Sequence, residues 1–364
     1  MGSQARLVLL ATNGQVVGSG RTRPPARTRQ DRSLELNTPN RRGPYRPFEG
    51  QRLGLRPPCD RTRHGSPHRV AGGVVATTPL LDGPNAWPYR CHMGLIGDQW
   101  RGVDEGWGRK AVEFATLCEP SNCREYVSLH HQLGVDAGDR LLDVACGAGL
   151  AVELASLRGA QCAGIDASPR LIAVARDRTP DADLRVGDMQ ELPWGDETFD
   201  VATSFRGIWG TTPGAVAEVN RVLVPGGRIG LTVWGHIKAS PGAWALAPFA
   251  LAATPKVENQ AAMVALGRPG AGEAFLQEAG FTDVERLEIP FVFEFADPEA
   301  YARALASTGP AYEAIEAVGE AAFIEAAVEL AQANVRDGLP LRAPIAVVGY
   351  VARKPAGRPG AGNG

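Results

Sequence analysis

The feature that most constrains this chain is a short apolar segment that ends in a glycine-rich turn and runs directly into a helix. Residues 140–145 are apolar enough for a buried parallel strand, because such strands lack the alternation of half-exposed ones. The turn Cys146-Gly147-Ala148-Gly149 follows, and residues 150–157 have the pattern of a helix that stops at Gly159. The sequence therefore predicts a strand, a tight turn and a helix in direct succession.

A second strand and helix complete a βαβ unit. Residues 162–165 predict the strand, Asp166 lies at its end, and Ser168-Pro169 predicts a helix cap with proline in the first turn. Asp166 follows Asp143 by 23 residues, a separation that places a carboxylate within reach of a ribose diol. A dinucleotide site is disfavoured, because Val152 stands where its third glycine would be and Asp143 would repel a pyrophosphate.

Strands and helices continue to alternate through most of the remaining chain. The further predicted elements are a helix from an Asn122/Glu125 capping box to Gly134, strands at 184–186, 199–204 and 228–234, a helix at 212–223, a loop-rich region at 238–270, a helix ending at Gly280, a strand around 284–295, helices at 297–336 and a strand at 345–351. This alternation predicts an α/β fold with a mostly parallel sheet that is covered on both faces.

Residues 1–92 differ in composition from the rest. They contain 15 Arg, no Lys and 5 acidic residues, which gives +10 and leaves −12 for residues 93–364. The segment is rich in Pro and Gly and has no sustained apolar period, so we predict a disordered arm. It is either a basic arm for nucleic acid or anionic lipid, or a tail or translated upstream region with Met93 as the start. The second interpretation is favoured, because arginine without lysine is what arbitrary GC-rich coding would give.

Cysteine spacing and hydropathy exclude several classes of protein. The six cysteines form no CxxC pair and no histidine cluster accompanies them, so we expect neither a metal site nor a disulfide framework. No apolar run approaches the roughly 20 residues that a membrane-spanning helix requires. These observations predict a cytoplasmic protein with no membrane span.

Motifs at the ends of the predicted strands carry a resemblance to a known family. Residues 141–149 (LLDVACGAG) resemble motif I of the class I S-adenosylmethionine (SAM) dependent methyltransferases. Residues 164–168 (GIDAS) are similar to the family's ribose-binding strand end, and residues 186–189 (VGDM) to its adenine-contacting motif. Residues 192–201 and 221–228 resemble the fourth and fifth strand regions of the branch that includes the ubiquinone and menaquinone C-methyltransferases.

The resemblance implies a fold and a cofactor. The fold is a Rossmann-like, doubly wound, mostly parallel seven-stranded sheet with a final antiparallel strand, and residues 238–343 supply a helical substrate lid. Asp143 is expected near the methionine amino group, Asp166 at the ribose hydroxyls and Asp188 at the adenine amino group. The complete set of residues that the resemblance assigns to SAM is Asp143, Ala145, Gly147, Gly149, Asp166, Ala167, Asp188, Met189 and Ser204. Acidic side chains suit SAM, because it carries a sulfonium and an ammonium rather than phosphates.

Candidates for the methyl acceptor lie after the fourth and fifth strands. His236 is a candidate general base or a structural residue, and Arg206 either holds an acidic substrate or pairs with a local carboxylate. Trp209 and Trp234 stack on a planar acceptor, line a cation or pack in the core. Asn259 and Gln260 offer amide hydrogen bonds to a substrate or cap a helix.

The leading hypothesis is methyl transfer to a small, planar metabolite by in-line displacement, at O, N or C. An RNA or protein methyltransferase is one alternative, but the −12 charge of residues 93–364 opposes nucleic acid unless the arm supplies the basic surface. A non-catalytic SAM-binding regulatory protein is the other alternative, because a fold does not determine function. The sequence specifies neither the acceptor nor an oligomeric state.

Overall fold

The computed structural model describes residues 98–209, 212–252 and 264–356. The arm at residues 1–92, Met93, Asn259 and Gln260 lie outside the described residues. From residue 123 onward the elements are α2 (Cys123–Leu133), β1 (Arg140–Val144), α3 (Leu150–Ser156), β2 (Gln161–Asp166), α4 (Pro169–Arg178), β3 (Asp183–Val186), β4 (Phe199–Phe205), α5 (Pro213–Val222), β5 (Leu223–Trp234), two 3-10 helices (Ile237–Ala239 and Ala243–Leu251), α6 (Ala271–Glu278), β6 (Thr282–Ile289), β7 (Val292–Phe295), α7 (Pro298–Ala306), α8 (Gly309–Val318), α9 (Glu320–Gln332), β8 (Leu341–Pro344) and β9 (Val347–Arg353).

Seven strands form one sheet in the order β3-β2-β1-β4-β5-β9-β6. Strands β1 to β5 pair in parallel, whereas β9 is antiparallel to both β5 and β6. The mostly parallel sheet with a final antiparallel strand is therefore confirmed. Because the parallel strands end at one edge, the residues that follow β1 to β5 are brought to the same side of the sheet.

Helices cover both faces of this sheet, as the sequence predicts. On one face, Leu142 and Val144 pack with α5 and with Leu276 of α6. On the other face, the neighbouring Leu141 packs with Leu129 of α2 and with α3. Successive residues of β1 thus point to opposite faces, and both faces are buried, which explains why Leu141, Leu142 and Val144 do not follow the alternation of a half-exposed strand.

An N-terminal helical segment (residues 98–122) precedes α2. It consists of short turns at Asp98–Gly102, Asp104–Gly108, α1 (Ala111–Glu113), Phe114–Cys118 and Glu119–Asn122. The predicted capping box at Asn122 and Glu125 is wrong, because Asn122 has helical backbone angles and makes no side-chain cap. Gly134 does end α2 in the left-handed conformation, and Ser168 does cap α4 by accepting from the Leu171 amide.

The predicted strand around 284–295 is two strands in two different sheets. β6 belongs to the main sheet, whereas β7 pairs with β8 in a separate two-stranded sheet. The break falls at Pro290-Phe291, where proline has no N–H to donate to a ladder. β7, β8, the Ala243–Leu251 helix and α7 to α9 share a second hydrophobic core with Phe114 and Cys118 of the N-terminal helical segment.

Among the described residues, no helix is long and apolar enough to cross a bilayer, and no cluster of His, Cys, Asp or Glu has the arrangement of a metal site. The four described cysteines, Cys118, Cys123, Cys146 and Cys162, are free thiols.

Candidate functional site

In the turn after β1, every second residue has a left-handed backbone conformation. Ala145, Gly147 and Gly149 have φ values of +60°, +57° and +83°. A β-carbon on Gly149 would lie 2.6 Å from the Ala175 β-carbon, so glycine permits α3 to approach α4 closely. Gly207, which the sequence analysis overlooked, is equally restricted, because its β-carbon would lie 2.4 Å from that of Ala145. The loop after β4 therefore packs directly on this glycine turn.

Asp143 is a buried carboxylate at the end of β1. Its Oδ1 accepts a hydrogen bond from the Thr203 hydroxyl at 2.7 Å, across the β1–β4 pair. The pKa of Asp143 is raised to about 8: burial is the main cause, the Thr203 hydrogen bond opposes it, and the nearby Asp166 and Glu119 carboxylates add to it. The ionised form of this carboxylate therefore favours a cationic neighbour.

Asp166 ties the end of β2 to the glycine turn. Its Oδ2 accepts from the Gly147 amide at 2.9 Å and its Oδ1 accepts from the Ser168 amide at 2.8 Å. Burial raises the pKa of Asp166, and these backbone hydrogen bonds oppose the shift. A carboxylate oxygen can accept two hydrogen bonds, so Asp166 can also accept from hydroxyl groups of a ligand. The adjoining Ala167 is half-buried.

Asp188 and Met189 follow β3, on the same edge of the sheet. Asp188 Oδ1 accepts from the Gln190 amide at 2.9 Å, and this side chain is half-buried. Met189 packs against the core between the sheet and α5. Since β3 neighbours β2, these residues continue the row that Asp143 and Asp166 begin.

Arg206 pairs with a buried carboxylate, the second of the two interpretations that the sequence left open. Its guanidinium donates to both oxygens of Glu125, at 3.1 and 2.9 Å, and Glu125 is fully buried. The Thr232 hydroxyl also donates to Glu125, at 2.5 Å. The guanidinium lies 4.6 Å from the centre of the Trp234 ring and 4.7 Å from that of Phe291. The positive charge of Arg206 is thus held between two aromatic rings and balanced by the protein itself.

The remaining acceptor candidates have different environments. Trp209 donates from Nε1 to the Arg206 carbonyl at 2.9 Å, and Ser204 Oγ accepts from the Ile208 amide at 3.1 Å, so both shape the loop after β4. His236 is exposed, and its carbonyl accepts from the Ser240 hydroxyl. Asn259 and Gln260 lie beyond the described ranges.

Aromatic rings extend from the end of β5 into the second core. We call this set the aromatic row, and its members in order of contact are Trp234, Phe291, Phe293, Phe295, Tyr301 and Trp244. Successive ring centres are 5.4, 4.8, 5.8, 5.5 and 5.3 Å apart. Four of these rings are buried in the second core, and the two tryptophans at the ends of the row are half-buried.

The N-terminal helical segment covers the glycine turn, a contact that no sequence motif indicates. Glu119 Oε1 accepts from the Leu150 amide at 3.3 Å, and the other oxygen pairs with Arg178. Arg178 also donates to the carbonyls of Ala148 and Ala115. Burial raises the pKa of Glu119 to about 7 despite Arg178. These contacts join positions at least 30 residues apart, which is why no local pattern reveals them.

A cleft of about 340 Å³ opens beside this covered region. Its lining residues are Thr116, Leu117, Pro120, Ser121, Arg124, Glu294, Phe295, Ala296 and Ala300. The cleft shares the turn Glu119–Asn122 with the site through Pro120 and Ser121, and it reaches the aromatic row at Phe295.

The residues present fit SAM. Asp143, Asp166 and Glu119 are buried carboxylates whose pKa values burial raises, so they favour a ligand with positive charge. Gly147 leaves room at the turn, since a β-carbon there would meet no atom closer than 3.7 Å.

Comparison with known proteins gives the same assignment. Residues 142–231 match the methyltransferase domain family. The chain is 31% identical over 130 residues to a demethylmenaquinone methyltransferase of Renibacterium salmoninarum, covering 35% of this chain and 55% of that protein. It is 31% identical over 179 residues to the 27-O-demethylrifamycin SV methyltransferase of Amycolatopsis mediterranei, covering 46% and 58%.

The chain spans about half the length of the curated relatives that it matches. Among solved structures, it is similar to a phosphoethanolamine N-methyltransferase of Haemonchus contortus, with 18% identity, a TM-score of 0.45 and coverage of 70% of this chain and 60% of that one. The sequence matches and the sheet order agree with the motifs at the strand ends. The chain therefore carries a methyltransferase domain of the class I SAM-dependent family, distantly homologous to the demethylmenaquinone methyltransferases.

Proposed function

We propose that this protein transfers the methyl group of SAM to a small, planar and largely apolar acceptor. The observation that carries the proposal is the row of Asp143, Asp166 and Asp188 at the ends of three neighbouring strands, next to a glycine turn. SAM supplies a methyl group on a positively charged sulfur. The chain's own residues supply position and charge: Asp143 the charge toward the cationic end, Asp166 the acceptors for the ribose, and Asp188 an acceptor for the adenine.

The acceptor side is proposed to lie at the ends of β4 and β5. The Arg206 charge is balanced by Glu125, so an acidic group on the acceptor is not required, and the aromatic row favours a planar apolar molecule. Two relatives support this class, since their names carry the acceptors demethylmenaquinone and 27-O-demethylrifamycin SV. Residues 238–343 would select the acceptor, because Trp244, Phe291, Phe293, Phe295 and Tyr301 all come from that region.

Few residues need to be catalytic, because positioning provides much of the acceleration in a methyl transfer. His236 is the titratable side chain that follows β5, and its exposure favours a role at the rim of the site over a role as a buried base. If it removes a proton from the acceptor, His236→Ala should lower the single-turnover rate by about 10²- to 10⁴-fold with unchanged SAM affinity. We expect a rate that instead follows stability.

Calorimetry with SAM tests the cofactor assignment. Asp166→Ala should weaken binding by about 1.5–3 kcal/mol, the range for hydrogen bonds to a charged group. The structure adds a further expectation: this variant also loses the Gly147 and Ser168 hydrogen bonds, so its melting temperature should fall modestly. Asp196→Ala, which removes a highly exposed carboxylate, is the matched control.

The acceptor is tested separately, by mass spectrometry of a metabolite extract incubated with the protein and isotope-labelled SAM. One or more planar metabolites heavier by one labelled methyl group would support the proposal. SAM binding without any methylated product, in small molecules, RNA or protein, would instead favour a non-catalytic SAM-binding role.

A further inference from the structure

The turn Glu119–Asn122 presents two buried side chains on one side. The turn is a 3-10 helix, in which residues three positions apart lie above one another, so Glu119 and Asn122 share a face. Glu119 is 1% exposed and Asn122 is 4% exposed. The sequence predicts a helix cap at Asn122 and indicates no role for Glu119.

The Glu119 carboxylate lies at the glycine turn. Its Oε1 accepts from the Leu150 amide at 3.3 Å, and a β-carbon on Gly147 would lie 3.9 Å from the same oxygen. Glu119 is also close enough to Asp143 to raise the pKa of that carboxyl group. Glu119 therefore belongs spatially to the site, although it comes from the N-terminal helical segment.

The charges around this carboxylate are incompletely balanced by the protein. Arg178 pairs with Glu119. Among the described residues, Asp143 accepts from a hydroxyl and Asp166 from backbone amides, and neither has a cationic partner. Of these three buried carboxylates only Glu119 thus has a cationic partner, and an additional positive charge would be stabilised there.

Asn122 adds a second, independent observation. Its Nδ2 donates to the Tyr126 hydroxyl at 3.0 Å, but its Oδ1 is buried and has no hydrogen-bond partner. A buried acceptor without a donor is costly, and such atoms are rare in folded proteins. A carboxylate oxygen and an amide oxygen on one face both accept hydrogen bonds, so the complementary ligand group is a cation with several N–H donors.

We propose that Glu119 and Asn122 bind the ammonium group at the amino-acid end of SAM, which makes the N-terminal helical segment part of the cofactor site. This inference rests on the proposed function. It deepens that function, because it assigns residues outside the matched domain to recognition of one particular group of the ligand.

Calorimetry with four ligands tests the proposal. SAM, S-adenosylhomocysteine and decarboxylated SAM all carry the ammonium group, whereas 5′-methylthioadenosine has the same nucleoside without it. Glu119→Gln should weaken binding of the first three by about tenfold or more, the effect of losing a charge-assisted hydrogen bond, and change methylthioadenosine affinity less than about twofold. Asn122→Leu should give the same ligand selectivity with a smaller loss.

Arg178→Gln is the control, because it breaks the same ion pair but keeps the Glu119 carboxylate. We expect this variant to lose clearly less SAM affinity than Glu119→Gln, because the carboxylate that binds the ammonium group is still present, even though loss of Arg178 raises its pKa further. Equal losses in Glu119→Gln and Arg178→Gln, or equal losses for SAM and methylthioadenosine, would overturn the proposal and leave Glu119 a structural residue. Circular dichroism identifies a variant that fails to fold, in which case Asn122→Leu decides. A wild-type protein that binds none of the four ligands would contradict the proposed function instead.

Discussion

The close approach of α3 and α4 at Gly149 can be tested by adding one methyl group. In Gly149→Ala the new β-carbon would lie 2.6 Å from the Ala175 β-carbon and 2.9 Å from its α-carbon, well inside van der Waals contact. The residue also has a φ of +83°, which costs an L-residue about 1–2 kcal/mol. Overpacking adds about 1–3 kcal/mol, because α4 must shift to make room. The free energy of unfolding should therefore fall by about 2–5 kcal/mol.

Gly226→Ala separates the two contributions. Gly226 has nearly the same φ, +81°, but no atom lies within 4 Å of the position that a β-carbon would take. Its substitution should cost only the backbone part, about 1–2 kcal/mol. Urea denaturation of both variants at the same pH, monitored by circular dichroism, measures the difference between their free energies of unfolding. Equal losses in the two variants would refute the reasoning, because the contact with Ala175 would then contribute nothing.

Three further predictions concern buried titratable groups. Burial lowers the pKa of His130 to about 4 from an ordinary 6.5, so the unfolded state binds more protons than the folded state between these pH values. The free energy of unfolding should therefore fall by up to about 3 kcal/mol as the pH drops from 6.5 to 4. Urea denaturation of His130→Leu over the same pH range should not show this loss. Because the pKa of Asp143 is raised to about 8, SAM affinity should increase from about pH 6 to about pH 7.5, a range below the ordinary pKa of an α-amino group, so that the ammonium of SAM keeps its proton. Binding should release a proton, which calorimetry detects as different heats in buffers of different ionisation enthalpy; identical heats would contradict this. Arg206→Met leaves the buried Glu125 without its cation and should lower the free energy of unfolding by about 3–5 kcal/mol in urea denaturation. Arg140→Met breaks a half-exposed pair with Asp200 and should lower it by less than about 1 kcal/mol. Similar losses in the two variants would contradict the larger contribution expected of the buried pair.

Local patterns were sufficient for the half of the fold that holds the proposed cofactor residues. The βαβ unit, the Ser168 cap and the alternating elements up to β5 are confirmed, because each depends on residues adjacent in sequence. The prediction of one strand around residues 284–295, which rests on periodicity, is wrong at Pro290. The apolar run continues through this residue, and only the missing N–H shows that β6 ends there.

The acidic residues of the N-terminal helical segment and α2 show the limit of motif reasoning. Glu125 has the spacing of a capping box with Asn122, but it instead accepts hydrogen bonds from Arg206 and Thr232, which lie 81 and 107 residues away. A three-residue spacing cannot distinguish these outcomes, because the deciding partners are brought close only by the completed sheet. The same is true of Glu119 and Arg178.

The chain leaves the main sheet after β6 and returns at β9, and these two strands are antiparallel neighbours with Ile289 paired to Val347. Two such ends lie as close together as the ends of a β-hairpin, which a turn of two residues can join. Everything between them, including β7, β8 and α7 to α9, is thus an insertion into a hairpin. Its length affects the entropy of loop closure only logarithmically, so insertions of different size can be exchanged at this point during evolution while the register of the sheet is kept.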